Sequence, residues 1–295
     1  MFFRISGPLL ALLCAGGVAS AAPRVVVSIG PVHSLVAGVM QGVGTPDLLV
    51  EGGGSPHDQA MRPSRARALQ DAALIVWVGP TLEQFLDKPI RSLGRDARLI
   101  TLMEMPGITL LTTRDGLHAS GRKNTVNPHI WLSPDNAIAI AAIVADALGE
   151  LDAANAAVYR RNAAATARRI DTLAAEIEFR LGAVKARPYM VLHDAYRYFD
   201  QRFGMNVVGA IMATPEQKPG ARRLLEIRRR IVSQHVVCVF GEPQESTALL
   251  ESVAAGTAAR TGMLDPLGVN LPAGPDAYFG MMRGIATALV DCLAS

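Results

Sequence analysis

The sequence predicts an α/β protein of two lobes, each a mainly parallel sheet flanked by helices, joined by one long rigid helix. Three observations predict it. Short, β-branched apolar runs alternate with helical stretches; the alternation lapses after residue 102 and restarts after Pro188; and the interval holds a helical stretch of about 30 residues with no proline inside. Continuous apolar strands separated by helices imply parallel pairing with both sheet faces covered.

In the first half, residues 24–29 form a buried strand and Pro31 opens a helix over 33–40. A short strand over 48–50, a helix over 63–72, a strand over 73–78, a helix over 82–93 and a strand over 98–102 follow. From 103 to 127 the composition turns to Thr, Gly, Arg, Lys and Asn, which marks a surface loop. Pro134 starts a helix to about 148, and 153–184 forms the long helix. Its apolar positions Val158, Ile170, Leu173, Ile177, Leu181 and Val184 fall mostly three or four apart, with Arg160, Arg161, Arg168, Arg169, Glu176 and Lys185 on the wet face. In the second half strands are expected over 189–192, 206–211 and 236–240, and helices over 195–203, 221–233, 245–260 and 276–293. The implied organisation is a signal peptide (1–22), an N-terminal α/β lobe (23–150), a linking helix (151–185) and a C-terminal α/β lobe (186–295). Ligands of open parallel sheets sit beyond the carboxyl ends of strands, so a cleft between the lobes is the expected site.

The signal peptide rests on Arg4, an apolar run from Ile5 to Val18 and the small residues Ala19-Ser20-Ala21-Ala22, with cleavage expected after Ala21 or Ala22. That run is short of the roughly 20 residues that span a bilayer. The mature chain is therefore expected to be exported, periplasmic and free of a membrane span. Its formal charge of +3 drops by one with Arg4, too little to imply binding to nucleic acid. Cys14 leaves with the signal and follows Leu13, not a small residue, so it is not a lipid-attachment site. The two cysteines left, Cys238 and Cys292, read as a disulfide more readily than as two free thiols, because an even pair in an oxidising compartment usually pairs.

Of six histidines, His57, His129 and His193 share a setting at strand or loop edges near the expected cleft. Spacing alone does not make them a site: no short motif such as H-E-x-x-H links them, and separate, locally bonded histidines account for the pattern. His33, His118 and His235 read the same way.

A set of motifs in one order changes that reading. Ser55-Pro56-His57, Leu69-Gln70-Asp71-Ala72, Val76-Trp77-Val78-Gly79-Pro80, His129-Ile130-Trp131-Leu132-Ser133-Pro134, His193-Asp194-Ala195-Tyr196, Phe240-Gly241-Glu242-Pro243-Gln244 and Leu264-Asp265-Pro266-Leu267-Gly268 resemble, in family order, the zinc-binding subclass of the solute-binding proteins that serve metal ABC importers. The resemblance runs from about Arg24 to Cys292. It implies that His57, His129 and His193 bind the metal, that two lobes joined by a long helix flank the site, and that Cys238 and Cys292 are bonded.

Three neutral imidazoles and one oxygen suit tetrahedral Zn(II). Some relatives place a glutamate before the first histidine, where this chain has Pro56, which cannot ligate. Asp265, which matches an acidic ligand of other relatives, is expected as the fourth ligand, with water as the alternative. Manganese-binding relatives use a carboxylate in place of His193, so His193 argues for zinc. Many zinc-specific relatives carry a His- and acid-rich loop where this chain has only His118 and Asp115 among Arg114, Arg122 and Lys123, so loop-based gathering of zinc is expected to be weak. Asp58, Asp194 and Glu242 are placed to orient imidazoles, and core packing accounts for Trp77 and Trp131.

The function expected is capture of Zn(II) by a monomer and its delivery to the membrane permease of an ABC importer, without catalysis. A manganese or broad divalent-metal carrier is the alternative within the family. From other classes come a zinc-dependent hydrolase, which would need a general base and a substrate pocket that no motif marks, and a metal-binding adhesin on the same fold.

Overall fold

A computed structural model of the chain describes residues 21–50, 54–57, 61–114, 125–212 and 219–294. The expected signal segment through residue 20, Asp58, and the loop residues Asp115, His118, Arg122 and Lys123 lie outside the described residues.

The apolar runs pair as two parallel four-stranded sheets. The first contains β1 (Val25–Val27), β2 (Asp47–Leu48), β3 (Leu74–Trp77) and β4 (Arg98–Thr101) in the order β2-β1-β3-β4, with α1 (Gly30–Met40), α2 (Pro63–Asp71) and α3 (Gln84–Leu93) as crossovers. Then come α4 (Pro134–Leu151) and α5 (Ala156–Leu181). The second sheet contains β5 (Tyr189–His193), β6 (Val207–Met212), β7 (Cys238–Gly241) and β8 (Arg260–Met263) in the order β6-β5-β7-β8. Its helices are α6 (Arg197–Phe203), α7 (Ala221–Ser233), α8 (Thr247–Ala254) and α9 (Ala277–Leu293).

Strand periodicity sorts the core into layers. Val25, Val27, Leu74, Val76, Tyr189, Val191, Cys238 and Phe240 point into one large cluster shared by both sheets and by α1, α4, α5 and α9. The alternate residues Val26, Ile75 and Trp77 pack outward under α2 and α3, and Met190, Leu192 and Val239 pack outward under α7 and α8. The long helix α5 buries Tyr159, Ala163, Thr166, Ile170, Leu173, Ala174, Ile177 and Leu181. That stripe lies against α4, α1 and α9, so the helix joining the two sheets is packed along its length. Its 26 residues reach about 39 Å at 1.5 Å per residue.

Two elements differ from the sequence-based expectation. The helix expected over 245–260 is only α8: Ser246 caps it by accepting a bond from the Ala248 amide, and Gly256 adopts φ 74° beyond its end. The released chain forms β8, Arg-Thr-Gly-Met, an edge strand of half-buried and exposed residues that carries no apolar run to announce it. In the 103–127 interval, Thr112 and Val126 pair in an antiparallel bridge, so the base of the expected loop is ordered.

The Cys238–Cys292 disulfide is present and ties β7 to α9 across a separation of 54 residues. Among the described residues no helix is long and apolar enough to cross a membrane.

Candidate metal centre

The carboxyl ends of the strands of both sheets converge on one point. His193 is the last residue of β5, Glu242 follows β7 and Asp265 follows β8. His57 comes from the segment after β2, in a turn where its amide donates to Ser55 Oγ. His129 comes from the segment before α4. There Pro128 precedes it, a short 3-10 turn Ile130–Leu132 follows, and Ser133 with Pro134 starts the helix, Ser133 Oγ accepting from the Asn136 amide.

One ring nitrogen from each of His57, His129 and His193 lies within 4.8 Å of the other two, the one such cluster of His, Cys, Asp and Glu among the described residues. The His129 and His193 rings are 5.0 Å apart between centroids, and His57 is 5.6 and 6.1 Å from them. Nε2 of His193 stands 3.1 Å from Nε2 of His129. Two nitrogens on a tetrahedral zinc with bonds near 2.05 Å would be about 3.3 Å apart.

The tautomers are set by what lies behind the rings. Asn127 Oδ1 accepts the His129 backbone N–H and faces Nδ1 of His129, both at 3.0 Å. Oε1 of Glu242 stands 2.6 Å from Nδ1 of His193, with both side chains buried. An acceptor against each Nδ1 places the ring proton there and leaves both Nε2 lone pairs facing each other, an arrangement a cation resolves. Burial, and then the neighbouring His193 and His57, hold the His129 pKa well below the usual imidazole range. A neutral, metal-ready imidazole is thereby the resting form.

The space between the histidines is about 20 Å³ and is lined also by Ser55, Pro56, Trp131, Glu242, Gln244, Glu245, Pro266 and Leu267. It suits an ion with one water rather than an organic substrate. A larger cavity of about 290 Å³ lies beside it, between Ile29, Pro31, Val50, Leu267 and Leu271, and among the described residues its lining holds no ionisable side chain.

Asp265 is not in the cluster. Its Oδ1 accepts the Leu267 and Gly268 amides at 3.0 and 2.9 Å and the Gln244 side chain at 3.2 Å, and its Oδ2 accepts the Val269 amide at 2.8 Å. It remains a neighbour: the Tyr196 pKa is pushed well up by burial first, then by Glu242 and Asp265. Asp194 turns away from the imidazoles to Arg114. Trp131, expected only as core, is also a wall of the site, its indole N–H donating to Pro266 O at 2.8 Å and its ring 5.2 Å from His129. His33 is a buried core histidine away from the cluster, its Nε2 lying 2.9 Å from Pro46 O, and His235 is exposed. Asn127 escaped the sequence reading; its signal was an Asx residue two before the histidine, the spacing at which such a side chain captures a backbone N–H.

Comparison with known proteins places this geometry. The family model ZnuA, zinc-uptake complex component A, periplasmic, matches residues 25–292. The chain belongs to the ZnuA family. The high-affinity zinc uptake system protein ZnuA of Brucella suis is 40% identical over 98% of this chain and 97% of its own length. The protein of the same name from Yersinia pestis is 35% identical over 96% and 95%. A solved zinc-bound ZnuA deletion mutant superposes with a TM-score of 0.80 at 26% identity, over 93% of this chain and 99% of that one. The two-sheet architecture with its long helix is thus the ZnuA fold.

Proposed function

We propose that this protein captures one Zn(II) in the periplasm through Nε2 of His129 and His193 and a ring nitrogen of His57, and delivers it to the membrane permease of an ABC-type zinc importer. The observation that carries the reading is the convergence of the three imidazoles within 4.8 Å, with an acceptor fixing the tautomer behind two of them. Membership in the ZnuA family and the zinc named for its relatives support the same reading.

The fourth position is filled by water or by Asp265. With its oxygens engaged by the 267–269 turn, Asp265 would ligate only through a lone pair those bonds leave over. Glu242 balances part of the dication's charge from behind His193. Three imidazole nitrogens favour zinc over manganese, which prefers oxygen ligands. The space of about 20 Å³ lined by the three histidines fits an ion with one water more closely than the substrate a hydrolase would need, and nothing in the geometry favours an adhesin. The working form is a monomer freed of a signal peptide over 1–22, with lobes over 23–150 and 186–295 and the linking segment over 151–185.

Deletion of the coding sequence tests the transport reading. Growth should fail under zinc limitation and recover with added zinc or with the intact gene, and not with His129→Ala. Unchanged growth under zinc limitation would contradict it.

A further inference from the structure

Behind the histidines lies a buried ion-pair cluster that the metal chemistry does not use. Arg114 follows the segment clipped to residues 125–127, where the Thr113 amide donates to Thr125 O at 2.9 Å and the Asn127 amide to Leu111 O at 2.8 Å. The Arg114 amide donates to Asp194 Oδ2 at 2.8 Å, and its guanidinium donates to Asp194 Oδ1 and to Asp200 Oδ2. Asp200 also accepts the Tyr189 hydroxyl. The side chains are 14%, 1% and 3% exposed for Arg114, Asp194 and Asp200. Asp194 follows His193 directly, and its carbonyl accepts the Asn127 side-chain amide, whose Oδ1 holds His129.

We propose that Arg114 is a positioning residue: by clamping Asp194 and Asp200 to the segment that carries Asn127, it holds His129 and His193 in register and sets how long zinc stays bound. The inference rests on the three-histidine reading above. The fork of the guanidinium takes two carboxylates at once, and its removal leaves two buried acid side chains side by side without the donor that holds them. The clamp spans the segment before α4 and the β5–α6 turn of the second sheet, so it bridges chain segments that each bring one ligand. Loss of the fork leaves Asp194 held by the residue-114 amide alone and Asp200 without its cation, which loosens the Asp194 carbonyl that anchors Asn127 while all three imidazoles remain.

The test is stopped-flow zinc dissociation into excess chelator, with cobalt(II) ligand-field spectra, for the full mature protein and its variants. Arg114→Met should release zinc roughly 10–100-fold faster, the loss typical of groups that orient metal ligands, and should alter the cobalt spectrum. Arg114→Lys, which keeps the buried charge and reaches one carboxylate, should fall between and reads the clamp even where Arg114→Met does not fold. Arg98→Met, which removes an exposed pair with Glu150, should match the wild type. Wild-type dissociation from folded Arg114→Lys and Arg114→Met would overturn the clamp alone. Absence of tight zinc in the wild type would overturn the histidine site instead.

Discussion

At the scale of single residues, the site depends on groups that never touch the metal. Glu242 and Asn127 decide which nitrogen of His193 and His129 carries the proton, so Glu242→Gln and Asn127→Ala should each weaken zinc binding by roughly 10–100-fold. Competition with a calibrated chelator reads this, and wild-type affinity in both would show that the rings hold their tautomers unaided. The three histidines were legible through the motifs around them and not through their spacing, because each arrives from a different segment. Glu242 was legible as a neighbour in the last motif but one. Arg114 was not, since its partners lie 80 and 86 residues further along the chain, and a lone loop arginine carries no sign of a buried carboxylate waiting for it.

At the scale of elements, the ends of the strands are held by a buried acid. Glu83, fully buried at the start of α3, accepts the Ser28 hydroxyl after β1 and the Val78 and Gly79 amides after β3. Burial pushes its pKa from 4.5 up to about 7, against the pull of those hydrogen bonds. Between these values the folded protein keeps a proton that the unfolded chain has released. The group's contribution to stability is therefore full below pH 4.5 and is lost as the pH rises through 7. The loss comes to about 3 kcal/mol at about 1.4 kcal/mol per pH unit. Urea unfolding at pH 5 and pH 8, a window that takes in about 2.5 kcal/mol of that loss, should show the wild type losing correspondingly more than Glu83→Gln; equal losses would mean that Glu83 ionises in the ordinary carboxylate range. The Cys238–Cys292 bond, closing 54 residues, contributes about 4 kcal/mol in the chain-entropy picture, so a Cys238→Ala/Cys292→Ala variant should unfold at correspondingly lower urea. Among the described residues, seven of the eight strands follow from apolar runs. The eighth was hidden because an edge strand needs ladder partners more than apolar side chains, and Arg260–Met263 finds them in β7.

At the scale of the whole molecule, the two sheets share one core, and the site sits where their strand ends meet. Trp131 joins them: it is fully buried, leans on His129 and donates to Pro266 of the loop after β8. Trp131→Ala should cost about 3–5 kcal/mol of stability and weaken zinc binding as well, read by thermal unfolding with and without zinc. A stability loss with unchanged zinc affinity would confine Trp131 to the core. The alternation of strands and helices made this architecture legible in the sequence. The meeting of the two strand ends was legible only as an expected cleft, since the contacts that fix it, such as Trp131 with Pro266, join residues far apart in the chain.

The central claim is that His57, His129 and His193 form a single zinc site, and zinc stoichiometry and affinity by chelator competition test it most directly. The mature protein should bind one zinc tightly, each single His→Ala variant should lose that site, and Asp265→Ala should leave it in place with weaker affinity. Tight binding that survives loss of these histidines, or no tight zinc in the wild type, would contradict the account.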